Sequence, residues 1–445
     1  MDRRSFAAKG LLLAGALLPA CNGHAGSSPA SALPQLPLRQ AQGDEKILYR
    51  FTNTTDGSEP ESALLNLNGT IYGTASEGGS LKCPHLGGGC GTIFKIETSG
   101  AGFTVLHRFA ASGRDGVMPV SGVIESGGKF YGTTQFGGGK GSKIMYCAEN
   151  GGCGTVFEMN PSGSGFHVIH AFDGDDGYSV FEGLTSDTST LYGAAAGSTA
   201  SDGVVFRMTK SGQETILHRF RGGKDGKTPE EAPIVVSSPR GGNALFGATY
   251  WGGAGFGTIY TMSTSGKNYR ILYRFMGGSD GANPKPLFYA GGKLYGTTDR
   301  GGATSRSCDL SGVSGCGTVF EIGSDGKQYR ILHRFAGGTD GAGADGILTI
   351  VDGTIYSATK FGGSTTCRVQ GNPGCGTVYQ IDTSGRNYRV LYAFQDGKDG
   401  AYPAIVGVID IDGTLYGTTV LGGRKHCQVY AECGTIYAVT PRQSD

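Results

Sequence analysis

The chain has 445 residues, with 38 basic and 37 acidic side chains and a formal net charge of +1. A balance this near neutral, with no basic stripe to neutralise phosphates, gives no reason to expect nucleic acid as a partner. Glycine at 82 residues is more than double the ordinary share, and with Thr, Tyr and Phe it points to short strands and tight turns rather than helices.

Residues 1–20 read as an export signal: Met1-Asp-Arg-Arg-Ser-Phe6 is a basic start, and Gly10 to Leu18 is an apolar run too short to span a bilayer. Asp2 to Lys9 resembles the twin-arginine pattern, with Asp2 in place of the usual Ser or Thr and Ala7 in place of Leu. A general secretory signal carrying two arginines is the alternative. Leu18-Pro19-Ala20-Cys21 is similar to a lipoprotein processing site. Cys21 is therefore the expected lipidation site and the membrane the expected partner, since several acyl chains anchor stably where one is marginal. The alternative is a cysteine that merely falls near a cleavage point. Residues 21–44, rich in Ala, Gly, Ser and Pro after the cysteine, read as a flexible tether.

From 45 to 445 one unit recurs seven times, beginning at Glu45, Phe103, Phe166, Glu214, Tyr269, Tyr329 and Tyr388. A repeat of this period decides the fold. In the copy at Tyr269 the elements are Tyr-Arg-Ile-Leu-Tyr-Arg-Phe275, an Asp280-Gly281 turn, Pro286 to Ala290, Lys293-Leu-Tyr-Gly-Thr-Thr298, a Gly301-Gly302 loop and Gly317-Thr-Val-Phe-Glu-Ile322. Four short strands per unit, separated by turn residues, predict a seven-bladed all-β propeller of four-stranded antiparallel blades. The chain opens with Lys46 to Phe51, a strand of the kind that ends a blade, and finishes with a third strand, Gly434 to Val439. The first strand is expected to pair with the last blade and close the ring, which removes exposed edges. The aromatic of each second strand is followed by Gly in six copies and by Ser357 in one, which predicts close approach by a neighbouring backbone or ring.

The Leu-Tyr-Gly-Thr-Thr, Gly-Gly, Gly-Thr-Val-Phe and Asp-Gly-x-x-Pro elements, as at 294–298, 301–302, 317–320 and 280–284, resemble the bacterial GloVer tandem repeat. The resemblance implies an exported, tethered protein and no particular reaction. The third repeat, with Leu191-Tyr-Gly-Ala-Ala-Ala-Gly197, departs most.

Besides Cys21, ten cysteines fall in five pairs, Cys83 with Cys90, Cys147 with Cys153, Cys308 with Cys316, Cys367 with Cys375 and Cys427 with Cys433. Each pair sits in the loop before Gly-Thr, and repeats three and four lack both members. Residues that come and go together in an exported chain read as disulfides. Zinc is the competing reading, from Cys83-Pro-His85 and His426-Cys427, but three pairs have no such histidine.

His107, His170, His218 and His333 occupy one repeat position that holds Tyr49, Tyr273 and Tyr392 elsewhere, so they read as packing groups rather than ligands or bases. The Asp-Gly pairs at Asp56, Asp115, Asp176, Asp225, Asp280, Asp340 and Asp399 read as turns, with Asp bonding backbone and Gly at positive φ, rather than as calcium sites. Neither a metal nor a cofactor is expected.

Equivalent positions differ where structure is indifferent or function intervenes. The place before Gly-Gly reads Glu77, Phe136, Ala196, Trp251, Arg300, Phe361 and Leu421, preceded by Tyr250, Asp299 and Lys360 in three copies. Phe136, Tyr250, Trp251, Asp299, Arg300 and Phe361 are therefore the candidate ligand-binding residues. Aromatics there can stack on a sugar or clasp a peptide, or fill the gap left by the absent disulfide of repeat four. The expectation is a lipid-anchored extracytoplasmic binding module for an unidentified glycan, peptide or protein, with a carbohydrate-active enzyme as the alternative.

Overall fold

A computed structural model describes residues 43–442 apart from the loop segments 81–82, 84–87, 111–113, 141–143, 182, 238–241, 304–307, 311–312, 365, 370–371, 396, 404–406 and 424–432. The expected signal, Cys21, nearly all of the tether, and Cys427, His85 and His426 lie outside the described residues. Seven antiparallel blades succeed one another along the chain as a β-propeller. Blade one is Leu65–Leu67, Thr70–Ala75, Thr92–Glu97 and Thr104–Arg108, paired in that order, and the later blades repeat it. Among the described residues no helix is long and apolar enough to cross a membrane.

The Asp-Gly turns explain why the repeat survives such variable loops. In every copy the Asp carboxylate accepts from a backbone N–H just after the outer strand, as at Thr52, Ala110, Asp173, Arg221, Met276, Ala336 and Gln395. It also meets the ring of the outer strand's histidine or tyrosine. His107, His170, His218 and His333 bring Nε2 to Asp115, Asp176, Asp225 and Asp340, while Tyr49, Tyr273 and Tyr392 donate Oη to Asp56, Asp280 and Asp399. Imidazole and phenol are interchangeable here because each reaches the same carboxylate. The Gly that follows takes φ between 95° and 152° in all seven turns, a region closed to most side chains.

The same ring is clamped from the next blade. Phe103 stacks on Tyr49 with centroids 3.6 Å apart, Phe166 on His107 at 3.7 Å, Tyr269 on His218 at 3.7 Å, Tyr329 on Tyr273 at 4.1 Å and Tyr388 on His333 at 3.8 Å. Tyr269 and Tyr329 also donate to the carbonyls of Asp225 and Asp280, at 2.8 and 2.7 Å. Two residues on, Phe51, Phe109, Phe172, Phe220, Phe275, Phe335 and Phe394 are each 0% exposed. Full burial of such a side chain contributes roughly 1.5–3 kcal/mol.

In six of the seven blades the second-strand glycine faces a third-strand ring, as the sequence led us to expect, and blade six has Ser357 there. A Cβ on Gly73, Gly132, Gly193 or Gly296 would stand 2.3–2.6 Å from a Phe Cζ, and on Gly247 or Gly417 2.2 or 2.4 Å from a Tyr Oη. Two positions further, buried threonines from the two strands pair through their hydroxyls. The pairs are Thr134 with Thr155, Thr249 with Thr258, Thr298 with Thr318, Thr359 with Thr377 and Thr419 with Thr435, at 2.8–2.9 Å.

Four of the cysteine pairs are disulfides, Cys83–Cys90, Cys147–Cys153, Cys308–Cys316 and Cys367–Cys375, each within one loop. Cys433 is also disulfide-bonded. Closure is by the first strand: Gly43–Arg50 runs antiparallel to Thr435–Pro441, with Lys46 opposite Ala438, and Phe51 N–H donates to Gly434 O at 3.1 Å. The strand begins three residues before the expected Lys46. Gly43 and Asp44, expected in the tether, belong to the sheet because the ladder continues to Pro441 and Arg442 pairs with Asp44.

Candidate functional site

The Asp-Gly connection and the loop before Gly-Gly meet at the same end of every blade. Ser58 bridges Glu77, Val117 Phe136, Tyr178 Gly197, Lys227 Trp251, Ala282 Arg300, Ala342 Phe361 and Ala401 Leu421. In the third copy the residue at this place is Gly197, one beyond the Ala196 that sequence alignment puts there. The residue just before the Pro position of each connection has φ between 52° and 67°: Glu59, Met118, Ser179, Thr228, Asn283, Gly343 and Tyr402. This left-handed kink follows the Asp-Gly corner, and next to it Lys285 reaches Glu230, Glu231 and Asp345 on the two neighbouring blades.

On blades four to six the residues beside this kink are charged, and blade seven adds Tyr402. Lys285, 7% exposed, lies 2.9 Å from Asp345 Oδ1 and 3.2 Å from Glu230 Oε2, with Glu231 at 3.8 Å. Asp345, 1% exposed, also pairs with Lys360, whose ammonium is 3.9 Å from Asp299. Tyr250 donates Oη to Asp299 Oδ2 at 3.3 Å and presents its ring to Lys285 Nζ, 5.0 Å from the centroid. Tyr402 stands similarly over Lys360 at 5.8 Å. Asn283 donates Nδ2 to Tyr250 O at 2.9 Å and fixes that loop. The result is one chain of alternating charge across three blades, bordered by the rings of Tyr250 and Tyr402.

The charges are locked. Burial favours neutral Lys285 and Lys360, but the anions and phenols around them outweigh it and hold both ammonium groups above their usual range. Burial likewise favours protonated Asp299, and Lys360, Arg300 and Lys285 overcome this, so the carboxyl sits below its usual range. Burial, with Asp299 beside it, pushes the Tyr250 phenol up to about 12. None of these groups is poised to exchange a proton near neutrality, which a general acid or base requires. The network is instead a set of fixed, charged donors and acceptors.

The sequence-predicted residues divide. Tyr250 and Asp299 converge in the network, and Arg300 Nε donates to Asp299 at 3.3 Å. Trp251 lies edge-on to Tyr250, centroids 5.1 Å apart, and is 39% exposed. Phe361 is buried and packs edge-on against Tyr402 at 5.4 Å, supporting the site from beneath. Phe136 is buried in blade two against Tyr146, away from this network. Glu230, Glu231, Lys285, Asp345 and Tyr402 were missed. Their signal was the residues flanking the Pro position of Asp-Gly-x-x-Pro, which vary in charge between copies just as the Gly-Gly loop does.

Fold and site together define a propeller with a buried ionic, aromatic-bordered network at its loop end. The chain belongs to the Gloeobacter/Verrucomicrobia repeat family, whose pattern matches residues 24–242, 197–366 and 307–445. No curated protein is significantly similar to it in sequence. Among solved structures it is similar to an oligogalacturonate lyase from Vibrio parahaemolyticus, at 8% identity and TM-score 0.49, covering 90% of this chain and 94% of the other. It is also similar to the designed protein Ika8, at 12% identity and TM-score 0.41, covering 85% and 96%. A third is BamB from Moraxella catarrhalis, at 13% identity and TM-score 0.39, covering 85% and 82%. These likenesses concern the fold alone.

Proposed function

We propose that the protein is an exported, lipid-anchored binding module that holds a glycan or peptide on the loop end of blades four to seven. The observation that carries this reading is the Lys285, Asp345, Lys360, Asp299 and Tyr250 network beside the exposed ring of Trp251. Buried, fixed donors and acceptors next to an exposed aromatic suit a ligand that has both hydroxyl or amide groups and a flat apolar face. A carbohydrate-active enzyme would draw on the same convergence of titratable groups. The protonated lysines, ionised Asp299 and raised phenol favour binding over proton transfer. Probing glycan and peptide arrays with the protein tests this reading. Trp251→Ala and Lys360→Ala are each expected to weaken the hits at least about tenfold, the loss of one or two good contacts. Absence of hits, or hits that both variants retain, would refute it.

The disulfides support an extracytoplasmic setting, since such bonds persist in oxidising compartments. Cleavage before Cys21 with acylation of its thiol and amine then tethers the propeller to a membrane. Mass spectrometry of the mature amino terminus is the test, and an unmodified terminus elsewhere, in soluble protein from the natural host, would sink the anchor.

A further inference from the structure

At two of the seven junctions the clamping ring is replaced by a carboxylate. Glu214 stands against His170 and Glu45 occupies the equivalent place at the ring closure, where the other copies have Phe103, Phe166, Tyr269, Tyr329 and Tyr388. The substitution at Glu214 brings three ligand types together. His170 Nε2 is 2.9 Å from Asp176 Oδ2 and 3.8 Å from Glu214 Oε2, and one ligand atom from each residue lies within 4.8 Å of the others. The Glu214 side chain is 9% exposed, and among the described residues its Oε1 receives no hydrogen bond. A buried carboxylate oxygen left without a donor is costly unless a cation or proton meets it.

We propose that His170 Nε2, Asp176 Oδ2 and a Glu214 carboxylate oxygen bind a divalent transition-metal ion of the zinc type, which staples blade two to blade three. One imidazole and two carboxylates suit such an ion better than calcium, which takes six or more oxygens. The two anionic ligands cancel the ion's charge. Bonds of about 2.0–2.1 Å in a tetrahedron put ligand atoms roughly 3.3 Å apart, within the range already present. For Nε2 to bind the ion, the proton of the neutral imidazole must sit on Nδ1, and both carboxylates must be ionised. Asp176 Oδ1 remains free to keep its hydrogen bond from Asp173 N–H at 2.9 Å. His170 and Asp176 are 18% and 21% exposed, which leaves a route for the ion and a water to complete its shell. The sequence argument that a position accepting Tyr is no ligand fails at this copy alone, because the third ligand comes from the next repeat. At Glu45 the facing residue is Tyr392, so that junction has a phenol where this one has an imidazole.

The junction is one that needs a staple: Glu214 forfeits the ring stack that five other junctions make. Full-length protein stripped with a chelator should bind one equivalent of Zn2+ by calorimetry and melt at a higher temperature with Zn2+ than without. Co2+ in its place should give visible d–d absorption. Glu214→Tyr restores the clamp that Tyr269 makes on His218, so this variant is expected to fold, to melt no lower than the metal-free parent, and to lose at least about tenfold in Zn2+ affinity together with the thermal response. No zinc binding by the parent, or binding and stabilisation that persist in Glu214→Tyr, would overturn the proposal.

Discussion

Ala195 lies directly opposite Val204 in the third blade, at the place where five other blades join two threonine hydroxyls. The departure of repeat three is therefore a paired one. Replacing both partners of a buried hydrogen bond with apolar groups is nearly neutral, whereas removing one strands the other. In blade five, Thr298 Oγ1 accepts from Thr318 N–H at 3.1 Å and meets Thr318 Oγ1 at 2.9 Å. Thr298→Ala is expected to cost about 1–3 kcal/mol, and Thr298→Ala with Thr318→Val should cost less than the sum of the single changes by about 1 kcal/mol. Chemical denaturation of the four proteins measures this coupling. Strict additivity would contradict it.

A second expectation concerns the glycine that faces a ring. A Cβ on Gly296 would stand 2.6 Å from Phe320 Cζ, closer than carbon atoms pack. Gly296→Ala should destabilise by about 1–3 kcal/mol through overpacking. Adding Phe320→Leu should return part of that loss, which would not happen if the glycine served backbone freedom alone. Thermal melts of the pair decide it.

Charge in the loop-end network sets a pH window. The folded-state pKa of Asp299 is depressed, so the stability it contributes is present above its unfolded value and is lost as pH falls through the folded one. Lys285 and Lys360 are raised, so theirs is present below the usual lysine range and is lost as pH rises through the folded value. Neither edge falls between about pH 5 and 9. The difference in melting temperature between parent and Asp299→Asn should stay constant across that interval and shrink below about pH 4. A difference that titrates near pH 7 would show that these groups are not locked.

Closure makes a fourth prediction. Phe51 is fully buried, and its N–H donates to Gly434 O across the seam. Phe51→Ala should cost about 3–5 kcal/mol. Removal of residues 43–50 should leave aggregated or unfolded protein, since it exposes the ladder edge of Thr435–Pro441. Size-exclusion and circular dichroism read the outcome, and a monomer melting with the parent would contradict it.

The fold was legible because seven copies of one unit repeat the same turn, ring and glycine, so errors in any one copy average away. The clamp was half legible. Residues Phe103, Phe166 and Tyr269 marked the start of their repeats, yet that they grip the preceding His or Tyr depends on a crossing between blades that spacing does not reveal. In the site, Tyr250 and Asp299 stood out by differing between copies under one structural demand. Phe136 and Phe361 differed equally but are buried, because each finds a ring to pack against, Tyr146 and Tyr402, which spacing does not reveal. Lys285 and Asp345 escaped notice because their partners sit on other blades, where only the ring's geometry brings charges of opposite sign together.

The pairing of Gly43 with Pro441 also dictates an order of events. Blades one to six form from neighbouring stretches of chain, and each can assemble once its own residues are available. The seventh must wait for both ends, so its loop-closure entropy falls due last and its contacts have the longest sequence separation in the molecule. Until then the strand Gly43–Arg50 is an unsatisfied edge carrying Ile47, Leu48 and Tyr49, primed to join any strand offered to it. A second copy in the same state offers Thr435–Pro441, so slow closure at high concentration would favour exchange of this strand between molecules, with two rings each completed by the other's first segment.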